Sequence, residues 1–373
     1  MAVRVSWDQA LAWRLERQML DPVPAVSADE VVRRLGGVQA QVASSAELAI
    51  RVRQASSASG DVGAALLDGR LIKTWAMRGT LHLLVPDEAG WFLSLLASGR
   101  TWELPSWQRY FGMTPRHWAL LRPAVREALD GAALTREELI AAVTTVAGLE
   151  HIGDSLRSGW GTLLKPLAWQ GDLVYGPSQG SRVTFTRPEA ASAAWTGVPD
   201  PDDAAPKAIA RYLGAYGPAT AEGFGNWLSR GRIAKRRMRA WFAELGDRVI
   251  AIDIDGERSY VLAEDLAELV ATKPGSSVRL VPGFDPWVLG PGTDDPRIVA
   301  PPRRAAVSRQ AGWIAPVVIR GGRVCGTWEL RDDRLGVDWF GEAGAPPGRR
   351  LAAEVERLST IVGRPLQAQV RLA

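Results

Sequence analysis

Two glutamines separated by a single alanine, Gln39 and Gln41, follow a Gly-Gly pair and precede a mostly apolar run. A carboxamide has no useful pKa, so neither side chain can act as a general base. A carboxamide oxygen can accept a hydrogen bond from a water molecule and orient that water for attack. The pair is therefore a candidate water-positioning site. The plainer alternative is two ordinary solvated glutamines.

The spacing of the two glutamines restricts the backbone on which they could act together. At about 100° per residue, positions i and i+2 of a helix lie about 200° apart, but they share a face on a strand. We predict a helix over residues 38–53 that carries the glutamines in its first turn. If both amides hold one water, residues 38–41 must be a helix start or a distorted turn and not a regular helix interior.

Two further residues are candidates for chemistry. His82 ends the run Met77-Arg78-Gly79-Thr80-Leu81-His82, where it alternates with apolar neighbours, and a hydrogen-bonded core histidine is the alternative. Asp285 lies in Pro282-Gly283-Phe284-Asp285-Pro286-Trp287, where it is either a turn former or an active-site acid.

Basic residues are concentrated in two places. Of the 45 basic residues five are Lys and 40 are Arg, a side chain that suits phosphate and base contacts. One cluster lies where the last helix of a module is expected, and it comprises Arg230, Arg232, Lys235, Arg236, Arg237 and Arg239. The second cluster lies on a predicted long loop, 301–310, and comprises Arg303, Arg304 and Arg309. Both clusters are candidate phosphate contacts. The alternatives are a solvated helix face and a mobile linker.

Several classes of function lose support. There is no phosphate-cradling Walker loop, no Gly-x-Ser-x-Gly elbow and no zinc pattern, so nucleotide hydrolysis is not indicated. Cys325 is the only cysteine, which excludes an intrachain disulfide, and the three histidines are widely separated. We expect no cofactor and no metal. Because the chain lacks an 18-residue apolar run and an apolar signal core, we expect a cytoplasmic protein.

The pattern of elements repeats along the chain. Three times, helices are followed by a two-stranded hairpin, which is the order of a winged helix. The hairpin strands are predicted at 71–77 with 80–85, 173–175 with 182–186, and 249–254 with 259–262. A helix over 155–170 precedes the second hairpin. We therefore predict an α+β fold of three tandem winged helices and a C-terminal β-barrel-like domain. The expected bounds are 1–90 for winged helix 1, 91–130 for a helical connection, 131–190 for winged helix 2, 200–264 for winged helix 3, and 275–373 for the C-terminal domain.

Four collinear motifs carry a family resemblance. They are Gly37-Val38-Gln39-Ala40-Gln41, Met77 to His82, Leu280-Val281-Pro282-Gly283-Phe284-Asp285, and Gly326-Thr327-Trp328. Over nearly the whole chain the sequence resembles the AlkZ/YcaQ family of winged-helix DNA glycosylases. Its Gln-Ala-Gln matches the Gln-x-Gln form of that family's catalytic motif, which is associated with the AlkZ branch.

The resemblance implies a monofunctional DNA glycosylase that excises cationic N7-alkylpurines and unhooks interstrand crosslinks. Its role would be self-resistance to a DNA-alkylating natural product. Gln39 and Gln41 would be catalytic, and Arg78 and His82 would lie near them in a wide, Arg-lined channel. The partner would be double-stranded DNA with alkylated or crosslinked purines, bound by a monomer that is associated with the nucleoid. The alternatives are a non-catalytic tandem winged-helix regulator and a family fold kept for some other DNA transaction.

Overall fold

The computed structural model describes residues 4–158 and 161–373. These residues form two compact units. Unit 1 comprises residues 1–61, 209–227 and 242–373, and unit 2 comprises residues 62–208 and 228–241. The predicted winged-helix ranges 1–90 and 200–264 each contribute residues to both units, and the predicted module bounds stay a prediction.

Helices and strands are mixed along the chain, as expected for the predicted α+β class. The helices are α1 (Trp7–Arg17), α2 (Ala28–Leu35), α3 (Ala43–Arg51), α4 (Asp61–Leu67), α5 (Pro86–Ala97), α6 (Pro105–Phe111), α7 (Pro115–Ala128), α8 (Arg136–Val143), α9 (Gly153–Arg157), α10 (Leu164–Trp169), α11 (Pro188–Ala191), α12 (Pro201–Tyr216), α13 (Ala221–Ser229), α14 (Lys235–Glu244), α15 (Leu266–Ala271), α16 (Pro286–Leu289), α17 (Arg304–Val307) and α18 (Gly348–Val362). The strands are β1 (Arg4–Val5), β2 (Val38–Gln39), β3 (Ile72–Trp75), β4 (Leu81–Leu84), β5 (Leu134–Thr135), β6 (Val174–Gln179), β7 (Arg182–Thr186), β8 (Val249–Ile254), β9 (Glu257–Leu262), β10 (Val278–Val281), β11 (Val317–Arg320), β12 (Arg323–Arg331), β13 (Arg334–Trp339) and β14 (Gln367–Leu372).

All three predicted hairpins are present as antiparallel pairs, namely β3 with β4, β6 with β7, and β8 with β9. The helix predicted over residues 155–170 is wrong as a single element. The chain instead has α9 and α10, and residues 159 and 160 lie outside the described part. Gly161 explains the interruption, because its φ is 62° and a Cβ there would lie 2.5 Å from the Trp75 ring.

The C-terminal part of unit 1 is an open sheet and not a closed barrel. In the described residues its strand order is β10-β11-β12-β13-β14, with β13 and β14 parallel and the other pairs antiparallel. Neighbouring residues of β10 face opposite sides, so Leu280 packs with α18 while Val281 packs with α1 and α16. The predicted loop 301–310 is corrected as well, because it contains α17 and short 3₁₀ turns.

In unit 2 the strands run in the order β4-β3-β6-β7-β5. Aromatic rings pack on this sheet, with Trp75 stacked on Phe185 at 6.0 Å between ring centroids. A second aromatic group joins Trp102 on its 3₁₀ turn to Trp118 of α7 and Trp169 of α10. The sequence therefore uses many of its tryptophans as core residues.

Candidate functional site

Gln39 and Gln41 lie on extended and bent backbone that precedes a helix. Gly36 and Gly37 end α2 with φ values of 68° and 132°, which a side chain would disfavour. Val38 and Gln39 form β2, residues 41 and 42 bend, and α3 begins only at Ala43. The prediction of a helix over 38–53 with the glutamines in its first turn is therefore wrong. The condition that residues 38–41 are not a helix interior is met.

Burial changes abruptly at the second glutamine. Val38 is 0% exposed, Gln39 is 8% exposed and Ala40 is 2% exposed, so all three residues are buried. Gln41, at the bend before α3, is exposed. The first glutamine is thus enclosed, and the second reaches solvent.

Neighbouring elements of unit 1 hold the glutamine segment in place. The hydroxyl of Tyr216 donates a hydrogen bond to the Leu35 carbonyl at 3.0 Å. After α3, the Val52 carbonyl accepts a hydrogen bond from Arg357 of α18 at 3.1 Å. The backbone on both sides of the glutamines is therefore tied to helices distant in sequence.

Asp285 forms a buried ion pair with Arg53, a residue that sequence reasoning did not single out. The distances are 2.8 Å from Arg53 Nη1 to Asp285 Oδ2 and 2.7 Å from Nη2 to Oδ1, and both side chains are 0% exposed. Asp285 Oδ1 also accepts from the Trp287 backbone N–H at 2.8 Å, at the start of α16. This geometry favours the turn-forming alternative over an active-site acid. In the sequence Arg53 stands out only as the second of two arginines, Arg51 and Arg53, at and just after the end of α3.

Arg78 and His82 belong to unit 2, whereas Gln39 and Gln41 belong to unit 1, so their predicted proximity stays a prediction. Arg78 is in the β3–β4 turn with a φ of 58°, a strained value for a residue with a side chain. His82 is 2% exposed, and its Nδ1 lies 3.0 Å from the Thr80 carbonyl. Burial lowers the pKa of His82 to about 3, and the Arg78 cation contributes. These contacts match the hydrogen-bonded core histidine.

The first basic cluster lies mostly on α14, and its members differ in their partners. Arg237 pairs with Asp202 at 3.1 Å and lies over the Trp241 ring. The other members are exposed and have no carboxylate within 4 Å among the residues the structure describes, and they are Arg230, Arg232, Lys235, Arg236 and Arg239. An unpaired exposed cation is available for a phosphate, so these five suit a DNA contact better than Arg237 does.

The second basic cluster is less uniform than its sequence suggests. Arg303 makes two hydrogen bonds to Glu342, at 2.7 and 2.8 Å, and donates to the Ala373 carbonyl. Arg304 and Arg309 are exposed. Arg303, on the 3₁₀ turn just before α17, is therefore bound to Glu342 and Ala373, and Arg304 is the better candidate for a DNA contact.

Among residues 4–158 and 161–373, no three His, Cys, Asp or Glu side chains are grouped so as to hold a metal ion. Within the same ranges, no helix is long and apolar enough to cross a membrane.

Three comparisons with known proteins agree. A family model described as DNA glycosylase AlkZ-like matches residues 32–361. An interstrand DNA cross-link repair glycosylase of Streptomyces sahachiroi is 47% identical over 369 residues, which is 98% of this chain and 100% of that protein. The solved structure of the Streptomyces sahachiroi DNA glycosylase AlkZ is similar with a TM-score of 0.96 at 46% identity, covering 99% of this chain and 100% of that one. The chain thus belongs to the AlkZ-like family of DNA glycosylases, the family that its glutamine motif resembles.

Proposed function

We propose that the protein hydrolyses the N-glycosidic bond of cationic N7-alkylpurines in double-stranded DNA and unhooks interstrand crosslinks built on such purines. The observation that carries the proposal is the placement of Gln39 and Gln41 on non-helical backbone, one enclosed and one exposed. The cross-link repair named for the 47% identical relative supports the substrate class. The Gln-Ala-Gln form supports a role in self-resistance to a DNA-alkylating natural product.

The two amides position the nucleophile. A carboxamide oxygen accepts a hydrogen bond from a water molecule. This bond orients the water so that the water oxygen faces the sugar C1′. As the C1′–N9 bond breaks, its electron pair goes to the purine, and the water oxygen bonds to C1′. The extra proton of the water is lost to solvent, because neither glutamine can hold it.

Substrate charge compensates for this weak catalysis. An N7-alkylguanine is cationic in DNA, and bond cleavage releases it as a neutral base. The leaving group is therefore activated before the protein acts, and water positioning suffices. A neutral base gives no such help and needs a general acid, which the described surroundings of the motif do not provide: Asp285 is enclosed by Arg53 and Trp287. We propose a preference for cationic bases on this ground.

The exposed cations supply DNA affinity. Arg232, Lys235, Arg236 and Arg239 are proposed to contact phosphates, and such contacts orient a duplex without reading its sequence. We propose that the protein acts as a monomer and without lyase chemistry. A non-catalytic regulator is not favoured, because the family that the chain belongs to is one of glycosylases.

The test is base release from a duplex with one N7-methylguanine, followed by alkali or an abasic-site nuclease to cut at abasic sites. A crosslinked duplex on a denaturing gel reports unhooking. Wild type is expected to act on both, and Gln39→Ala/Gln41→Ala is expected to bind DNA but release no base. Gln369→Ala is the matched control, because Gln369 is an exposed glutamine of unit 1 on β14. Equal release by the double variant and the control would reject the proposed site.

A further inference from the structure

A small recess in unit 2 is lined by two arginines, and a lysine lies beside it. The recess is lined by Arg78 and Gly79 of the β3–β4 turn, by the end of α5, by Trp169 of α10, and by Ser229 and Arg232 at the α13–α14 turn. Lys165 is one turn before Trp169 on α10, so the two side chains share a face of that helix. A Cβ atom at Gly79 would lie 3.8 Å from Lys165 Nζ and 4.0 Å from Trp169 Cζ2.

Three cations in and beside the recess, Lys165, Arg230 and Arg232, are not paired with acidic residues in the described part of the chain. No carboxylate of that part lies within 4 Å of any of the three. Other arginines of unit 2 differ, since Arg122 pairs with Asp172 at 2.7 Å and Arg157 pairs with Glu137 at 3.2 Å. Burial lowers the pKa of Lys165, and Arg230 and Arg232 lower it further. The cluster is therefore self-repulsive without an anion.

A buried donor lies beside the same recess. Trp169 is 7% exposed, and its indole N–H has no acceptor among the described residues. Cζ2, the ring atom nearest Gly79, is on the same edge of the indole as that N–H. Buried indole N–H groups usually have a partner, so an acceptor oxygen is expected here.

Two backbone positions in and beside the recess are strained. Arg78, which lines the recess, has a φ of 58°, and Arg230, next to the lining residue Ser229, has a φ of 57°. Such values cost energy for residues with a Cβ. The Ser229 hydroxyl accepts the Arg232 backbone N–H at 3.2 Å and fixes the α13–α14 turn. Strain retained at one lining arginine and at the arginine beside Ser229 accords with a binding role.

The size of the recess restricts its ligand. Its volume is about 30 Å³, and roughly 10–15 Å³ of such space holds one water molecule. Two or three oxygen-sized groups fit, whereas a base or a deoxyribose does not. The same limit makes Lys165 a poor candidate for attack on an abasic sugar.

We infer that Lys165, Arg230, Arg232 and the Trp169 indole form a clamp for one backbone phosphate of the DNA substrate, with Arg78 at its edge. The inference rests on the proposed DNA substrate and adds Lys165, Arg230 and Trp169 to the residues that hold it. The clamp acts on binding and positioning, and takes no part in bond cleavage.

The first test measures affinity for an undamaged duplex, and so does not depend on base release. Lys165→Gln, Arg232→Gln and the triple variant with Arg230→Gln are compared with wild type over a range of salt concentrations. Loss of one phosphate contact is expected to lower the slope of log affinity against log salt by about 0.9 and the affinity by about tenfold. The triple variant is expected to lose one contact, not three.

Arg116→Gln is the matched control, because it removes one exposed cation of unit 2 outside the recess. Lys165→Arg is expected to retain the salt slope of wild type. All variants are expected to melt at or above the wild-type temperature, because the substitutions relieve repulsion among cations. Variants that keep the wild-type slope would overturn the clamp, whatever the protein does to damaged bases.

The second test locates the phosphate. A duplex with one tetrahydrofuran abasic-site analogue fixes the binding register, and methylphosphonates replace one phosphate at a time. At one position, the methylphosphonate is expected to lower the DNA affinity of wild type and of Arg116→Gln. The same methylphosphonate is expected to leave the affinity of the triple variant unchanged. If every methylphosphonate that lowers the affinity of wild type also lowers the affinity of the triple variant, the clamp is contradicted. A higher melting temperature in inorganic phosphate, with DNA binding of the variants unchanged, would assign the recess to a free anion and also overturn it.

Discussion

Arg53 and Asp285 form a two-pronged ion pair with no exposed surface, at 2.7 and 2.8 Å. Further bonds satisfy both partners, because Arg53 Nε donates to the Gln18 carbonyl at 3.0 Å and Asp285 accepts the Trp287 N–H. The pair joins the chain just after α3 to the start of α16. The motif Gly283 to Trp287 thus has a structural explanation that does not require catalysis.

Asp285→Asn is expected to destabilise the fold, because it leaves the Arg53 charge buried without its counterion. Removal of one partner of a buried pair costs about 3–5 kcal/mol. Denaturant unfolding of the variant measures this cost. Arg53→Met/Asp285→Leu is expected to be more stable than Asp285→Asn, because neither charge then remains.

Base release per folded molecule distinguishes the two roles of Asp285. If Asp285 only stabilises the fold, folded Asp285→Asn is expected to release N7-methylguanine at about the wild-type rate. A variant with wild-type stability and no base release would instead identify Asp285 as a catalytic acid.

His82 is expected to make the fold sensitive to acid. Its pKa is about 3 in the folded protein against 6.5 as an ordinary value, so the unfolded chain binds the extra proton first as pH falls. The stability contribution is present above pH 6.5 and is lost between pH 6.5 and about 3, at roughly 1.4 kcal/mol per pH unit. The free energy of unfolding is expected to fall less between pH 7 and pH 5 for His82→Asn than for wild type. The asparagine amide can still donate to the Thr80 carbonyl. An equal fall in both proteins would mean that His82 is not buried and neutral.

The two basic clusters are expected to differ in their effects on DNA binding. Arg239→Gln removes an exposed cation without a described carboxylate partner, and is expected to lower the salt slope by about 0.9. Arg303→Gln removes a cation held by Glu342, and is expected to leave that slope unchanged. Fluorescence anisotropy over a salt series measures both variants. The reverse order would assign the DNA contact to the 301–310 segment.

The order of elements was largely predictable from residues, whereas their ends and contacts were not. The Asp255-Gly256 turn and the apolar runs beside it fixed the third hairpin, and the pair β8–β9 was confirmed. Strand β14 was missed, because Gln367 to Leu372 is exposed throughout and its parallel pairing with β13 has no local signal. The C-terminal domain, predicted as β-barrel-like, is an open sheet in the described residues, because closure of a sheet depends on contacts between distant strands.

Some residues of the candidate site were also predictable from the sequence, and others were not. Gln39 and Gln41 were recognisable from their spacing and the Gly-Gly pair, although the start of α3 was placed five residues early. Local helix propensity does not predict that Val38 forms part of a strand. The Arg53–Asp285 pair joins positions 232 residues apart. No local pattern predicts a contact of that kind.

Substrate charge gives a further prediction. The wild-type rate of base release is expected to be much lower for a neutral deaminated purine than for N7-methylguanine in the same duplex, because water positioning alone does not activate a neutral leaving group. Comparable rates would show that the protein supplies a general acid.

The catalytic role of Gln39 and Gln41 is tested most directly by single-turnover release of N7-methylguanine by wild type and by Gln39→Ala/Gln41→Ala, with DNA affinity measured in parallel. Loss of water positioning is expected to lower the rate at least about 10²-fold while affinity is retained. Release by the double variant at the wild-type rate would contradict the assignment of catalysis to these two amides.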